Sequence, residues 1–136
     1  MRIATVFFPG KHRERLQAVA QSLAHGIESQ GHQVDLIDAS RDRNSKLAVY
    51  QYVAVGTEQL SFFGGKIPSP ITEFLKNAGM VAGKKSFAFV LKRPVGASKA
   101  LSRLMKVMEA EGMFIRFSEV VGSTGEAEAV GKRLHI

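Results

Sequence analysis

Ile3-Ala4-Thr5-Val6-Phe7-Phe8-Pro9-Gly10, then Leu16, Val19, Ala20, Leu23, Ala24 and Ile27, then Val34-Asp35-Leu36-Ile37: these residues decide the fold. Ile3–Phe8 is β-branched and aromatic and stops at a Pro-Gly pair, which reads as a buried strand closed by a turn. The next apolar residues recur at intervals of three and four, drawing one stripe along a helix of period 3.6. That helix is expected to end near Gly31, and Val34–Ile37 follows as a second strand. A strand, a helix and a strand in succession form a unit whose two strands lie parallel, because the helix carries the chain back to the starting edge.

The same alternation continues outward. Ala39–Leu47 is polar and basic, a loop or at most one helical turn. Tyr52–Val55 is a third strand, closed by Gly56-Thr57, and the long loop Glu58–Ser69 follows. Pro70 suits a first helical turn, where its missing N–H has no partner to lose, with Ser69 as the N-cap. Ile71, Phe74, Leu75 and Ala78 then repeat at helical spacing up to Gly79. Ser86–Leu91 is a fourth strand, Lys92–Gly96 a loop, and Ala97–Glu111 a helix with Leu101, Leu104, Met105 and Met108 on its core face. Gly112 stops it, Met113–Val121 is a fifth strand, and Gly125–Arg133 a short last helix. Strands alternating with helices predict a three-layer α/β sandwich around a parallel sheet. Five strands favour the order 2-1-3-4-5, in which ligands bind beyond the carboxyl ends of the strands beside strand 1. Function is therefore expected in the loops 9–15, 57–67 and 92–97.

Composition bounds the rest. The chain has 136 residues, 45% hydrophobic and 23% charged, which suits a single domain over 1–136. It has no cysteine, so disulfides, thiolate metal sites and cysteine nucleophiles are excluded. No apolar run approaches the ~20 residues that cross a bilayer, and the expected location is cytoplasmic. The histidines lack metal-ligand spacing, and His25 and His32 read as surface residues. There is no G-x-G-x-x-G, phosphate-binding P-loop, H-E-x-x-H or G-x-S-x-G. A phospho-acceptor receiver is excluded because Phe8-Pro9 and Gly56-Thr57 stand where its carboxylates belong. No pair of carboxylates converges on the loops, so no catalytic residue and no metal ligand is assigned, and enzymatic activity is left open.

Charge is the more informative signal. Lys+Arg total 19 against 12 Asp+Glu, a formal net charge of +7. Lys11, Arg13, Arg15, Arg41, Arg43, Lys46, Lys66, Lys92, Arg93 and Lys99 all follow the carboxyl ends of predicted strands, against Glu14, Asp42 and Glu58. Such an edge attracts an anionic small molecule or an acidic protein partner. Nucleic acid is not expected, since no interleaved aromatic platform accompanies the charge.

Tyr52-Val53-Ala54-Val55-Gly56-Thr57, Phe63-Gly64-Gly65-Lys66-Ile67-Pro68 and Ile71-Thr72-Glu73-Phe74-Leu75 together resemble the flavodoxin family. They are similar to its third strand, its flavin-flanking loop and the helix after it. Gly83-Lys84-Lys85, Gly96-Ala97 and Glu111-Gly112-Met113 are similar to its later turns. The resemblance implies a flavodoxin-like fold, an FMN cofactor, and a role in electron transfer or as a small reductase; the family's carriers are usually acidic, so the basic edge here points instead to an acidic redox or regulatory protein partner. It places Gly10, Lys11, His12 and Arg13 at the FMN phosphate. Thr57, Glu58, Phe62, Phe63 and Gly64 would flank the ring, with Lys92, Arg93 and Pro94 on its other side. One loop departs from the family. The family's phosphate loop is rich in Ser, Thr and Gly, whereas Pro9–Arg15 holds no hydroxyl and Pro9 lacks an N–H. Two expectations follow: an FMN protein whose phosphate is held by basic side chains, or a flavin-free flavodoxin-like domain acting as a binding or regulatory module for an anionic ligand or acidic partner.

Overall fold

The computed structural model describes residues 1–136. Its elements are β1 (Arg2–Phe8), α1 (Arg13–Glu28), β2 (Gln33–Asp38), β3 (Tyr52–Thr57), α2 (Pro70–Asn77), β4 (Lys85–Leu91), α3 (Ala97–Ala110), β5 (Phe114–Val121) and α4 (Thr124–Arg133). The strands form one five-stranded sheet in the expected order β2-β1-β3-β4-β5. Every pairing is parallel, with β1 between β2 and β3.

Burial explains the strand compositions. β1, β3 and β4 are central and buried on both faces apart from their first residues Arg2 and Lys85, so they are apolar almost throughout. β2 and β5 are the edges, and most of their residues keep some exposure. On one face α1 and α4 cover a core of Ile3, Phe7, Leu16, Leu23, Ile27, Phe87 and Phe89. On the other, α2 and α3 cover Val6, Phe8, Val53, Val55, Phe74, Leu75, Leu104 and Met108. Each fully buried side chain of this size contributes roughly 1.5–3 kcal/mol. α1 and α4 pack backbone to backbone, since a Cβ on Gly131 would collide with the Leu23 carbonyl.

Three local expectations are corrected. β3 runs on through Gly56-Thr57, because Gly56 lies under the Phe89 ring, leaving no room for a Cβ, and still pairs with Phe7 and Phe89. Ser69 precedes α2 but has helical dihedrals, and its hydroxyl makes no cap bond. The loop after β2 crosses from the carboxyl to the amino edge of the sheet. Lys46 therefore donates to the Asn77 carbonyl at the far end (2.6 Å), away from the cationic edge to which the sequence assigned it. The half-buried Lys84 ammonium anchors this crossing by donating to the carbonyls of Leu47 (3.0 Å) and Tyr50 (2.6 Å). No helix is long and apolar enough to cross a membrane.

Candidate functional site

The carboxyl edge is built by the turns after β1, β3 and β4. After Phe8 the chain turns through Pro9 and Gly10 into α1, whose N-cap residue, His12, makes no side-chain cap bond. The backbone donors of such a turn are natural anion ligands. Here an anion already holds them. Glu58, directly after β3, is only 1% exposed. Its carboxylate accepts from the Gly10 N–H (3.0 Å) and from the His12 N–H (3.0 and 3.1 Å to its two oxygens). The His12 Nδ1 stands 3.0 Å from Oε1. A carboxylate facing a ring nitrogen at this distance requires that nitrogen to carry the proton, so His12 donates through Nδ1. Nδ1 therefore cannot also accept from Arg93, whose Nη1 lies 3.3 Å away; the guanidinium packs as a cation against the ring edge. The loop closes tightly over this cluster, because a Cβ on Gly10 would fall 2.6 Å from the Leu60 side chain.

The neighbouring residue closes the other half of the edge. Gln59 is 2% exposed, and its amide donates to the carbonyls of Ser61 (2.8 Å), Phe62 (3.2 Å) and Val95 (2.6 Å). Three acceptors fix the amide orientation and leave Oε1 without a partner. The Val95 bond ties the turn after β3 to the turn after β4. Gly96 adopts a left-handed φ of +93°, and a Cβ there would sit 2.9 Å from the Gly64 carbonyl and 3.0 Å from that of Phe63. The two loops that flank the ring position in the family's arrangement thus touch each other.

The remaining residues singled out from the sequence are dispersed. Arg13 turns away to β2, pairing with Asp38 and donating to the Ser40 hydroxyl (2.7 Å). Burial alone would raise the Asp38 carboxyl, but the Ser40 hydroxyl and N–H, with Arg13, outweigh it and hold the group below its ordinary value. Thr57 is buried and donates to the Phe8 carbonyl (2.8 Å), so its hydroxyl locks β3 to β1. Lys11, Lys92 and Pro94 are exposed. Phe62 and Phe63 are 59% and 69% exposed and pack edge to face on each other at 4.7 Å, so Gln59, not these rings, holds the loop down. Phe63, Lys92, Arg93 and Lys99 border a cavity of about 490 Å³ at the start of α3. Sequence reasoning missed Gln59 and the pairing of Arg13 with Asp38. The available signal was a Glu-Gln pair directly following a wholly buried strand.

A bound FMN phosphate in the first loop would need the N–H groups that Glu58 holds. Two unit charges of like sign at 4 Å repel by about 4 kcal/mol at an effective dielectric near 20, and the phosphate carries more than one. In this arrangement the residues do not fit the group.

No family model and no curated protein matches the sequence. The fold does match solved structures. A flavodoxin from the domain Archaea superposes with a TM-score of 0.75 at 20% identity, covering 97% of this chain and 94% of that one. Flavodoxin 1 from Bacillus cereus gives 0.72 at 14% identity, covering 99% and 100%. Two-electron reduced Megasphaera elsdenii flavodoxin gives 0.72 at 16% identity, covering 96% of each chain. Strand order, layer arrangement and near-complete mutual coverage agree: the chain has the flavodoxin-like fold.

Proposed function

We propose that this protein is a flavin-free flavodoxin-like domain, a binding or regulatory module whose cationic carboxyl edge engages an anionic ligand or an acidic protein partner. The observation that carries this reading is the Glu58 carboxylate on the donors of the first loop. An internal carboxylate there does for the loop what a phosphate would do, and Gln59 holds together the loops between which a flavin ring would be inserted. The cations left outward, Lys11, Lys92 and Lys99 with the partly exposed Arg93, have no carboxylate partner and supply the attraction for an acidic partner.

A second reading, an FMN protein in electron transfer or a small reductase role, draws support from the fold and from one local observation. The exposed Phe62–Phe63 pair stands beside the cationic cavity, as a ring-stacking pair would. That reading requires Glu58 to leave the loop when flavin enters. Reconstitution with excess FMN followed by gel filtration separates the two. A colourless protein that leaves flavin fluorescence unquenched supports the flavin-free module. Flavin retained with the protein overturns it and favours the second reading. Titration with a polyglutamate peptide at two ionic strengths tests the module directly: binding that weakens with salt is expected, and no binding at low salt overturns the partner assignment.

A further inference from the structure

The opposite edge of the sheet holds a pocket of about 290 Å³ that neither reading uses, lined by Tyr52, Arg116, Phe117, Arg133, Leu134 and His135. Topology assembles it. Tyr52 opens β3 at the amino edge, Arg116 and Phe117 lie near the start of β5, and α4 returns antiparallel to the strands and delivers Arg133, Leu134 and His135 to the same place. Tyr52 and Leu134 belong to the core beneath α1 and α4, so the pocket opens from that core.

Its chemistry is unbalanced in two ways. First, Tyr52 is 1% exposed, yet its hydroxyl has no hydrogen-bond partner. A buried phenol normally finds one, and an orphaned hydroxyl loses its water without replacement. Second, two arginines and a histidine line the pocket, and no Asp or Glu does. Neither arginine nor His135 takes part in an ion pair. Arg116 instead lies over the Phe114 ring, 5.6 Å from its centroid. Burial pushes the Tyr52 phenol up to about 12, and the opposing pull comes from the Arg116 charge, which places that cation within electrostatic reach of the hydroxyl. The remaining wall is apolar: Leu134, and a Phe117 ring stacked on Phe87 at 5.7 Å with an interplanar angle of 14°.

We propose that this pocket binds a small organic oxyanion, a carboxylate or phosphate ester on a flat apolar body of about one ring, whose acid oxygens take the guanidinium groups of Arg116 and Arg133 and accept the Tyr52 hydroxyl. The volume sits near the lower limit of ligand cavities, about 300 Å³, so a body of two or more fused rings is too large. Arg-to-oxyanion bonds are charge-assisted and directional, and the ring lies along Phe117 and Leu134. The site is independent of the Glu58 cluster and stands whether or not flavin binds at the other edge.

The test is an NMR titration of the full chain with benzoate, phenyl phosphate, inorganic phosphate and benzyl alcohol. Saturable shifts are expected for benzoate or phenyl phosphate at the Tyr52 ring and the amides of Arg116, Phe117, Leu134 and His135, while Gly10–His12 stay unmoved. Inorganic phosphate lacks the ring and benzyl alcohol lacks the charge, so each is expected to bind at least about tenfold more weakly. Arg116→Ala with Arg133→Ala should weaken binding roughly ten- to a hundredfold. Tyr52→Phe keeps the packed ring and should cost roughly tenfold, so a loss there is not a folding defect. The proposal is overturned by the absence of saturable shifts with both aromatic anions. It is equally overturned by inorganic phosphate binding as tightly as phenyl phosphate, or by affinities that ignore all three substitutions.

Discussion

The two edges of one sheet treat polar groups in opposite ways. At the carboxyl edge, where this fold usually holds its ligand, the donors of the first loop are occupied from within by Glu58, and Gln59 ties the neighbouring turns together. At the amino edge, the buried Tyr52 hydroxyl is orphaned beside cations that no carboxylate neutralises. Buried polar groups are normally hydrogen-bonded, so the first edge follows the rule and the second departs from it. The contrast teaches that a fold's habitual site and a given chain's available site are separate questions.

Removing the internal anion should break the contrast most sharply. Glu58→Ala is expected to lower stability by about 3 kcal/mol in chemical denaturation, because it strips a nearly buried carboxylate from its charge-assisted partners. Phosphate or sulfate added to that variant should restore up to about 2.7 kcal/mol at a hundredfold excess over its dissociation constant, and should leave the wild type unchanged. A variant as stable as the wild type, or one deaf to both anions, would remove Glu58 from the role given to it here.

Alkaline unfolding probes the other edge. A phenol whose value rises from 10 to about 12 on folding favours its neutral form in the folded state. Its contribution is therefore complete below pH 10 and is lost as the pH climbs through about 12, a change of order 2–3 kcal/mol. Tyr52→Phe should abolish that loss and, at neutral pH, raise stability by about 1 kcal/mol by deleting the orphaned hydroxyl. Denaturation midpoints for both proteins across pH 8–12 check this; parallel curves would contradict it.

Loosening the loops without removing the anion is a finer cut. Gln59→Ala should lower stability by about 1–2 kcal/mol and speed amide hydrogen exchange within 57–67 and 92–97, leaving β2 and α4 protected. Unchanged exchange in those loops would show that the bond to Val95 does not tie them. The smallest expected effect lies beside the cluster, at Asp38. Its carboxyl is held below the ordinary value of 3.8, so its contribution is present above that pH and is lost as the pH falls further. Asp38→Asn should cost about 1 kcal/mol at pH 7, with the difference from wild type narrowing in acid. A difference that stays constant down to pH 2 would assign the loss to packing.

Much of this architecture was legible in the residues alone. The Ile3–Phe8 run, the stripe from Leu16 to Ile27 and the repeating alternation led directly to the strand order, because periodicity is a local property that burial then selects. The positions of the loops followed from topology. What each loop's side chains face did not. Lys46 was placed with the cationic loops by its neighbours in sequence, yet the crossing after β2 carries it to the opposite edge. Arg13 was expected in the first loop, but it opens α1, and its guanidinium belongs to Asp38, the last residue of β2, and to Ser40 just beyond it, 25 and 27 residues further along. Phe62 and Phe63 were expected to flank a ring, yet it is Gln59 that ties their loop to the turn after β4.

The alternation of strands and helices, the parallel sheet, the cationic balance and the missing hydroxyls of the first loop can all be read along the chain. Each of these depends on the identity and spacing of residues within a few turns of chain. Packing of distant segments brings Glu58, 46 to 48 residues from its partners, onto the donors of the first loop, and leaves the Tyr52 hydroxyl without a hydrogen-bond partner. A carboxylate or a phenol has the same formula whether it meets water, an N–H or an arginine. Which of these it meets is set by the packing of distant segments, and that packing turns a charge count into a carboxylate held on the first loop at one edge and a cation-lined pocket at the other.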